Sequence, residues 1–293
     1  MADVEVIMSA ARTEAGVRQL GIKALAGLVE SQRIRIAPPL ALFRDPGHGH
    51  FHPRPELFVQ VLGCCDMQLE PGWIRSEAGD LLVIPRGVAH DEHPKPGPFL
   101  NLVFSYSDHG FAFHAAQGQP VRGTRILHRY GMGMSGIPRL YGYLNDAAAC
   151  MIEGAPTTHV AVQALVRAHL ALLLDALRAG PAVGQEDDQL VLQARHSVAV
   201  HLTDAQLSVA WLARRLRCSA DYLSHRFHTV TGQRLVDFIT TERCSLARRL
   251  LADVSLSIKE VAVACGYRDP AYFSRVFRKQ VGVNPRAWRK TQR

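Results

Sequence analysis

The stretch SVAWLARRLRCSADYLSHRFHTVTG (Ser208–Gly232) and its echo GYRDPAYFSRVFRKQVGVNPRAWR (Gly266–Arg289) decide how this chain is read. In the first, Ser208 precedes VAWLARRL and Ser219 precedes ADYLSHRFHTV. Each serine can N-cap a helix by accepting a free N–H of the first turn, and Gly232 suits a C-cap. Two short helices joined by about three residues outline a helix-turn-helix. The outline recurs. Ser208, Leu212 and Ala213 return 49 residues on as Ser257, Val261 and Ala262, and Leu223, Ser224, Phe227 and Gly232 return 50 residues on as Phe273, Ser274, Phe277 and Gly282. The one-residue slip falls in the turn. The second copy adds a capping box, Ser257 with Glu260, and an Asp269-Pro270 pair that sets proline at the first helical position. Asn284-Pro285 repeats that signal for a last short helix. An internal repeat with matching caps predicts two copies of one unit, 208–229 and 257–281.

Working outward, RLVDFITTERCSLARRLLAD (Arg234–Asp253) reads as one connector helix over 234–252. Twenty residues span about 30 Å at 1.5 Å each, against roughly 34 Å for a DNA turn. A rigid connector of that length would set two recognition helices in successive major grooves. Upstream, VLQARHSVAVHL (Val191–Leu202) has apolar residues near a 3.6 period. AGPAVGQEDDQ (Ala179–Gln189) has none and reads as a linker. Charge divides at the same place. Leu190–Arg293 carries 18 Lys+Arg against 7 Asp+Glu, whereas residues 1–189 carry 16 against 19. A basic module on a slightly acidic one points to a polyanion partner for the module.

These residues resemble the DNA-binding domain of the AraC/XylS family of bacterial transcription regulators over about 100 residues. The resemblance rests on S-x-x-Y-L-x-x-x-F-x-x-x-x-G from Ser219, A-x-x-x-G-[YF] from Ala262, Y-F-S-R-x-F-[RK]-K from Tyr272 and G-V-x-P-x-x-[WY]-R from Gly282. It implies a first recognition helix presenting Asp221, Ser224, His225 and His228, with Leu223 and Phe227 inward. The second would present Ala271, Arg275 and Arg278, with Phe273 and Phe277 inward. Arg275 is the candidate for reading a guanine through O6 and N7. Lys279, Arg286, Arg289 and Lys290 are candidate phosphate contacts. Implied partners are double-stranded operator DNA, RNA polymerase, a small-molecule effector and a second copy of the chain.

The N-terminal half reads differently. FVQVLG, LLVIP and LNLVFS are short apolar runs bounded by turn residues, which favours a barrel or sandwich. HGHFHPRPELFVQVLG holds His50-x-His52-x-x-x-Glu56 and then Gly63, and GDLLVIPRGVAH holds Gly79, Pro85-x-Gly87 and His90. These resemble the two cupin motifs, in which His50, His52, Glu56 and His90 would fall on the metal-ligand positions. The pattern departs from the family at Arg44 and Pro94. Two histidines two apart in a strand would share a face. Three imidazoles and a carboxylate suit a divalent iron, manganese, nickel or zinc ion. Three readings stand: a bound metal, an effector pocket without metal, or scaffolding. His48, His93, His109 and His114 add histidine density without ligand spacing.

Residues 138–178 follow as a helical packing or dimerisation segment. Val162, Leu165, Val166, Leu170, Leu173, Leu174 and Leu177 form an apolar stripe in its second helix. Residues 1–33 look helical, especially LGIKALAGLVES. The N-terminus lacks a signal-peptide pattern, and Gln163, Arg167, His169 and Asp175 interrupt the longest apolar run. Six cysteines, Cys64 beside Cys65 and four scattered, without a C-x-x-C fit buried small hydrophobes in a reducing compartment. The expectation is a cytoplasmic, multidomain protein. Residues 1–137 would form a cupin-like β-barrel with flanking helices, 138–178 the helical segment and 179–189 the linker. Residues 190–293 would form an all-α domain of two helix-turn-helix units joined by a long helix. It would be a regulator and no enzyme; the alternative is a metal-dependent cupin enzyme fused to a DNA-binding domain.

Overall fold

The structure, a computed structural model, describes residues 2–40, 42–44, 49–70, 72–107, 110–118, 124–133, 137–154, 157–180 and 188–291. It divides into two compact units, Met1–Gln185 and Glu186–Arg293. Most of the expected linker, 181–187, lies outside the described residues, as do His48 and His109.

The first unit opens with two helices, α1 (Ala2–Ala10) and α2 (Glu14–Val29). Nine strands follow among the described residues: β1 (Ile34–Ile36), β2 (Glu56–Leu62), β3 (Cys64–Leu69), β4 (Trp73–Glu77), β5 (Leu81–Ile84), β6 (His90–Pro94), β7 (Leu100–Ser107), β8 (Gly110–Gly118) and β9 (Thr124–Gly133). Helices α3 (Ile137–Glu153) and α4 (Thr158–Ala179) complete it. The apolar runs noted in the sequence became β2, β5 and β7.

The expected closed barrel is not what these strands make. Among the described residues they form a six-stranded sheet, β1-β5-β2-β7-β8-β9, and a separate three-stranded sheet, β4-β3-β6. Side-chain alternation explains the layers. Leu57, Val59, Leu102, Phe104 and Tyr106 leave one face of the large sheet and join the stripes of α2, α3 and α4 in one core. Phe58, Leu82, Ile84 and Val103 leave the other face and meet Met67 and Leu69 of the small sheet. The result is a three-layer unit of helices, large sheet and small sheet.

Helix α4 is long and apolar enough to cross a membrane by length and composition. Its stripe, Val162, Val166, Leu170, Leu173, Leu174 and Leu177, is instead buried in the helix-facing core. The N-terminal segment closes the end of that helix. Arg18 of α2 donates from Nε and Nη2 to the Leu177 carbonyl at 3.0 and 2.7 Å. It thereby satisfies an acceptor that the helix terminus leaves free.

Among its described residues the second unit holds helices and no strand: α5 (Gln189–Val200), α6 (Val209–Arg215), α7 (Ala220–Thr231), α8 (Leu235–Leu251), α9 (Ile258–Ala264), α10 (Pro270–Val281) and α11 (Pro285–Thr291). Every cap named from the sequence is made. Ser208 accepts from Trp211 N and Ser219 from Tyr222 N. Ser257 and Glu260 form the capping box. Asp269 accepts from Ala271 N, and Asn284 from Ala287 N at 2.8 Å. Gly232 and Gly282 are left-handed C-caps. The connector α8 has 17 residues, shorter than expected. At 1.5 Å each it spans about 25 Å.

Gly266 shows why its motif demands glycine. Its φ is +75°, and a Cβ there would sit 2.7 Å from Arg243 Nη2 and 2.9 Å from the Leu202 carbonyl oxygen. That crowding is productive. Arg243, half-way along α8, donates to the carbonyls of Leu202 and Asp204 at 3.1 and 2.7 Å and lies over the Tyr267 ring. One buried guanidinium thus binds the connector to the loop before α6 and to the turn before α10.

Candidate nucleic-acid interface and histidine centre

Helices α7 and α10 bury the same positions, Leu223 with Phe227 and Phe273 with Phe277. This orients the opposite faces outward. Asp221, His225 and His228 are exposed on α7, and Ser224 is half-buried beside them. Ala271, Arg275, Arg278 and Lys279 are exposed on α10. All eight residues therefore lie on or beside the presented faces. Exposed Tyr222 and Tyr272 occupy matching places on the two helices. Both are motif positions, and the repeat superposes them 50 residues apart. Arg275 lies 5.8 Å over the Tyr272 ring, a contact that holds its planar fork.

The C-terminal cations divide. Arg286 and Lys290 are exposed and Arg289 is not. Arg289 donates to the Leu251 and Leu256 carbonyls at 3.2 and 2.7 Å, tying α11 to the end of α8. Its place is structural, contrary to the expected phosphate contact. The two faces also differ in charge. α10 offers three formal cations, whereas the only formal cation of α7 is Arg226, which the sequence reading passed over.

The histidine centre lies in the first unit. His50, His52 and His90 bring ring nitrogens within 4.8 Å of one another. Glu56 joins them, 3.3 Å from His52 Nε2 and 3.5 Å from His90 Nε2. The four residues chosen from the sequence converge, but by another route than expected. His50 and His52 do not share a strand: His50 forms an isolated bridge with His90, and His52 follows in irregular chain. His90 opens β6, Glu56 opens β2, and both are buried between the sheets with His52.

The electrostatics of the centre follow from that burial. Burial pushes the Glu56 carboxyl up, yet the charge of His52 and the hydrogen bond and charge of His90 outweigh it and hold its pKa at about 2. Burial opposes a charge on His90 also, but its contact with Glu56 raises it above the ordinary imidazole value. His50 stands exposed at the rim; surrounding protein mass and its two histidine neighbours still hold it well below that value. The Nδ1 of His90 lies 3.1 Å from the Val88 carbonyl. An Nδ1–H donated there leaves Nε2, 3.5 Å from Glu56, either to carry a proton to the carboxylate or to turn a lone pair to a shared cation. The donor set therefore fits a divalent metal. Close by, Glu92 accepts from Asn101 Nδ2 at 2.6 Å and Thr124 Oγ1 at 3.1 Å, and burial raises its pKa. His93 is apart, with Asp91 and the Trp73 ring.

A third buried histidine interrupts the apolar sequence of α4. His169 is fully buried, with Nε2 2.7 Å from Tyr106 Oη and Nδ1 2.9 Å from the Leu140 carbonyl. The signal available was a histidine flanked by stripe positions Val166, Leu170 and Leu173.

A basic helical unit with two outward, cap-terminated helices defines a DNA-binding protein of the helix-turn-helix class. Comparison with known proteins agrees. Residues 212–291 match the family described as a helix-turn-helix domain. The HTH-type transcriptional regulator YpdC of Escherichia coli is 28% identical over 236 residues, 79% of this chain and 80% of that protein. The arabinose operon regulatory protein of E. coli is 32% identical over 102 residues, 35% of each chain. The activator Btr of Bacillus subtilis is 30% identical over 145 residues, 50% of this chain and 27% of its own length. Among solved structures, the DNA-binding domain of AdpA in complex with a target DNA is 33% identical and covers 36% of this chain, with a TM-score of 0.33. Residues 212–291 are therefore a helix-turn-helix domain similar to those of these transcription regulators.

Proposed function

We propose that this regulator reads operator DNA with α7 and α10, and that a ligand held at His50, His52, Glu56 and His90 governs that reading. On this view Arg275 contacts a guanine edge, and Asp221, Ser224, His225, His228 and Ala271 line the same grooves. Arg278, Lys279, Arg286 and Lys290 meet phosphates. The observation that carries the sensing half is the convergence of three imidazoles and an ionised carboxylate between two sheets of a unit joined to a DNA-binding unit. The ligand is a divalent metal or an effector that meets the same donors. RNA polymerase is the further partner of an activator, and the cytoplasm is where operator DNA would be met. The alternative, a metal-dependent enzyme, draws on the same donor set.

The outward side of α4 supports pairing with a second copy, since Val160 and Leu172 are exposed there. Sedimentation at twice the monomer mass is the expected result, and a monomer at micromolar concentration rejects the pairing.

The test of sensing uses Zn²⁺, Mn²⁺, Fe²⁺ and Ni²⁺ with the full chain and a selected duplex. A ligand shifts DNA affinity only through unequal affinity for two states of the protein. One of these metals should change wild-type DNA affinity about 5-fold or more, a typical lower bound for allosteric coupling. His52→Ala and His90→Ala should lose that response and keep the metal-free DNA affinity. Variants that fold and still respond reduce the four residues to scaffolding.

A further inference from the structure

The first recognition helix carries one formal cation, and that cation is already engaged. Arg226 of α7 forms an ion pair with Asp188. Asp188 is the N-cap of α5, the first residue described after Gly180 and close to the end of the linker. Its two carboxylate oxygens divide the work. Oδ1 accepts from Leu190 N at 2.9 Å and Val191 N at 3.2 Å, whereas Oδ2 meets the Arg226 guanidinium. The Asp188 side chain is 9% exposed and that of Arg226 47% exposed.

Position 226 is on the flank of α7. On a helical wheel it lies about 100° from His225, the middle of the outward face, and about 100° from Phe227 in the core. Flanks of a recognition helix run along the walls of the groove, where the phosphates are. The repeat sharpens the point. The equivalent of Arg226 in α10 is Val276, while the outward face of α10 already carries Arg275, Arg278 and Lys279. The outward face of α7 has no formal cation, so Arg226 is its one means of neutralising a phosphate. A carboxylate occupies it, and acids at 186 and 187 precede that carboxylate in the sequence.

We propose that Arg226 is a DNA-phosphate contact and that Asp188, at the end of the linker, competes with the phosphate for it. The linker thereby weakens the first reading unit relative to the second. This rests on the DNA-binding role of the domain.

The experiment measures the affinity of the full chain for a selected duplex as a function of salt. Asp188→Ser keeps an oxygen for the α5 cap, since serine caps as well as aspartate, and has no second oxygen for Arg226. Freeing one cation for a phosphate should steepen the slope of log K against log salt by about 0.9 and tighten low-salt binding several-fold. Asp188→Asn should act in the same direction. Arg226→Ala combined with Asp188→Ser should abolish that gain. Folded Asp188→Ser and Asp188→Asn variants with wild-type slope overturn the proposal. So does an undiminished gain in the Asp188→Ser, Arg226→Ala double variant, because the gain would then not run through Arg226. A wild-type chain that binds no duplex would instead remove the DNA-binding reading itself.

Discussion

At the scale of single residues, chemistry separates side chains that sequence position treats alike. Arg275, Lys279 and Arg289 are all cations near the C-terminus. Arg275 is exposed, with its fork held over Tyr272, Lys279 is exposed, and Arg289 is spent on two carbonyls. Arg275→Ala should cost about 1–3 kcal/mol on the selected site and relax preference at one base pair. Lys279→Ala should weaken all duplexes alike and lower the salt slope by about one. Binding titrations on selected and random duplexes distinguish them; an unchanged specificity ratio in Arg275→Ala rejects base reading by that residue. The role of Arg289 was not legible in the sequence, because its partners are backbone carbonyls more than 30 residues away. The four residues of the histidine centre were legible through their resemblance to the cupin motifs, although they meet across a bridge and a loop and not along one strand.

At the scale of elements, legibility follows how local the determinant is. The helical unit could be read almost to the residue, because a cap is one side chain bonding N–H groups two or three positions on. The sheets could be read as strands and not as an arrangement, because closure depends on long-range register that no short motif encodes. The helix-facing core adds a long-range device of its own. His169 joins α4 to β7 through Tyr106 and to α3 through Leu140. Its burial holds its pKa down at about 4. Above pH 6.5 the ring is neutral in folded and unfolded chains alike and adds no pH dependence. Between pH 6.5 and 4 only the unfolded chain takes the proton. Stability should therefore fall with falling pH, by at most about 1.4 kcal/mol per unit from this group. Denaturant titrations at pH 7, 6 and 5 should show that component in the wild type and its loss in a folded His169→Gln variant. Equal slopes in the two proteins would mean that His169 is not held neutral.

At the scale of the whole molecule, charge and chemistry are divided between the two units. The basic excess lies in the helical unit and the histidine centre in the β-rich one. The division was visible in the sequence as a change of composition near residue 185. The tether between recognition helix and linker was not, because Asp188 and Arg226 are 38 positions apart. The central claim is that one chain reads specific DNA with two helices joined by α8. The most direct measurement is selection of bound duplexes from random sequence, followed by hydroxyl-radical footprinting of the full chain on the winner. The account predicts a selected site bound at least about 10³-fold tighter than random duplex. It also predicts two protected base clusters about one helical turn apart on one face. Equal affinity for selected and random duplex, or a single protected cluster, would contradict it.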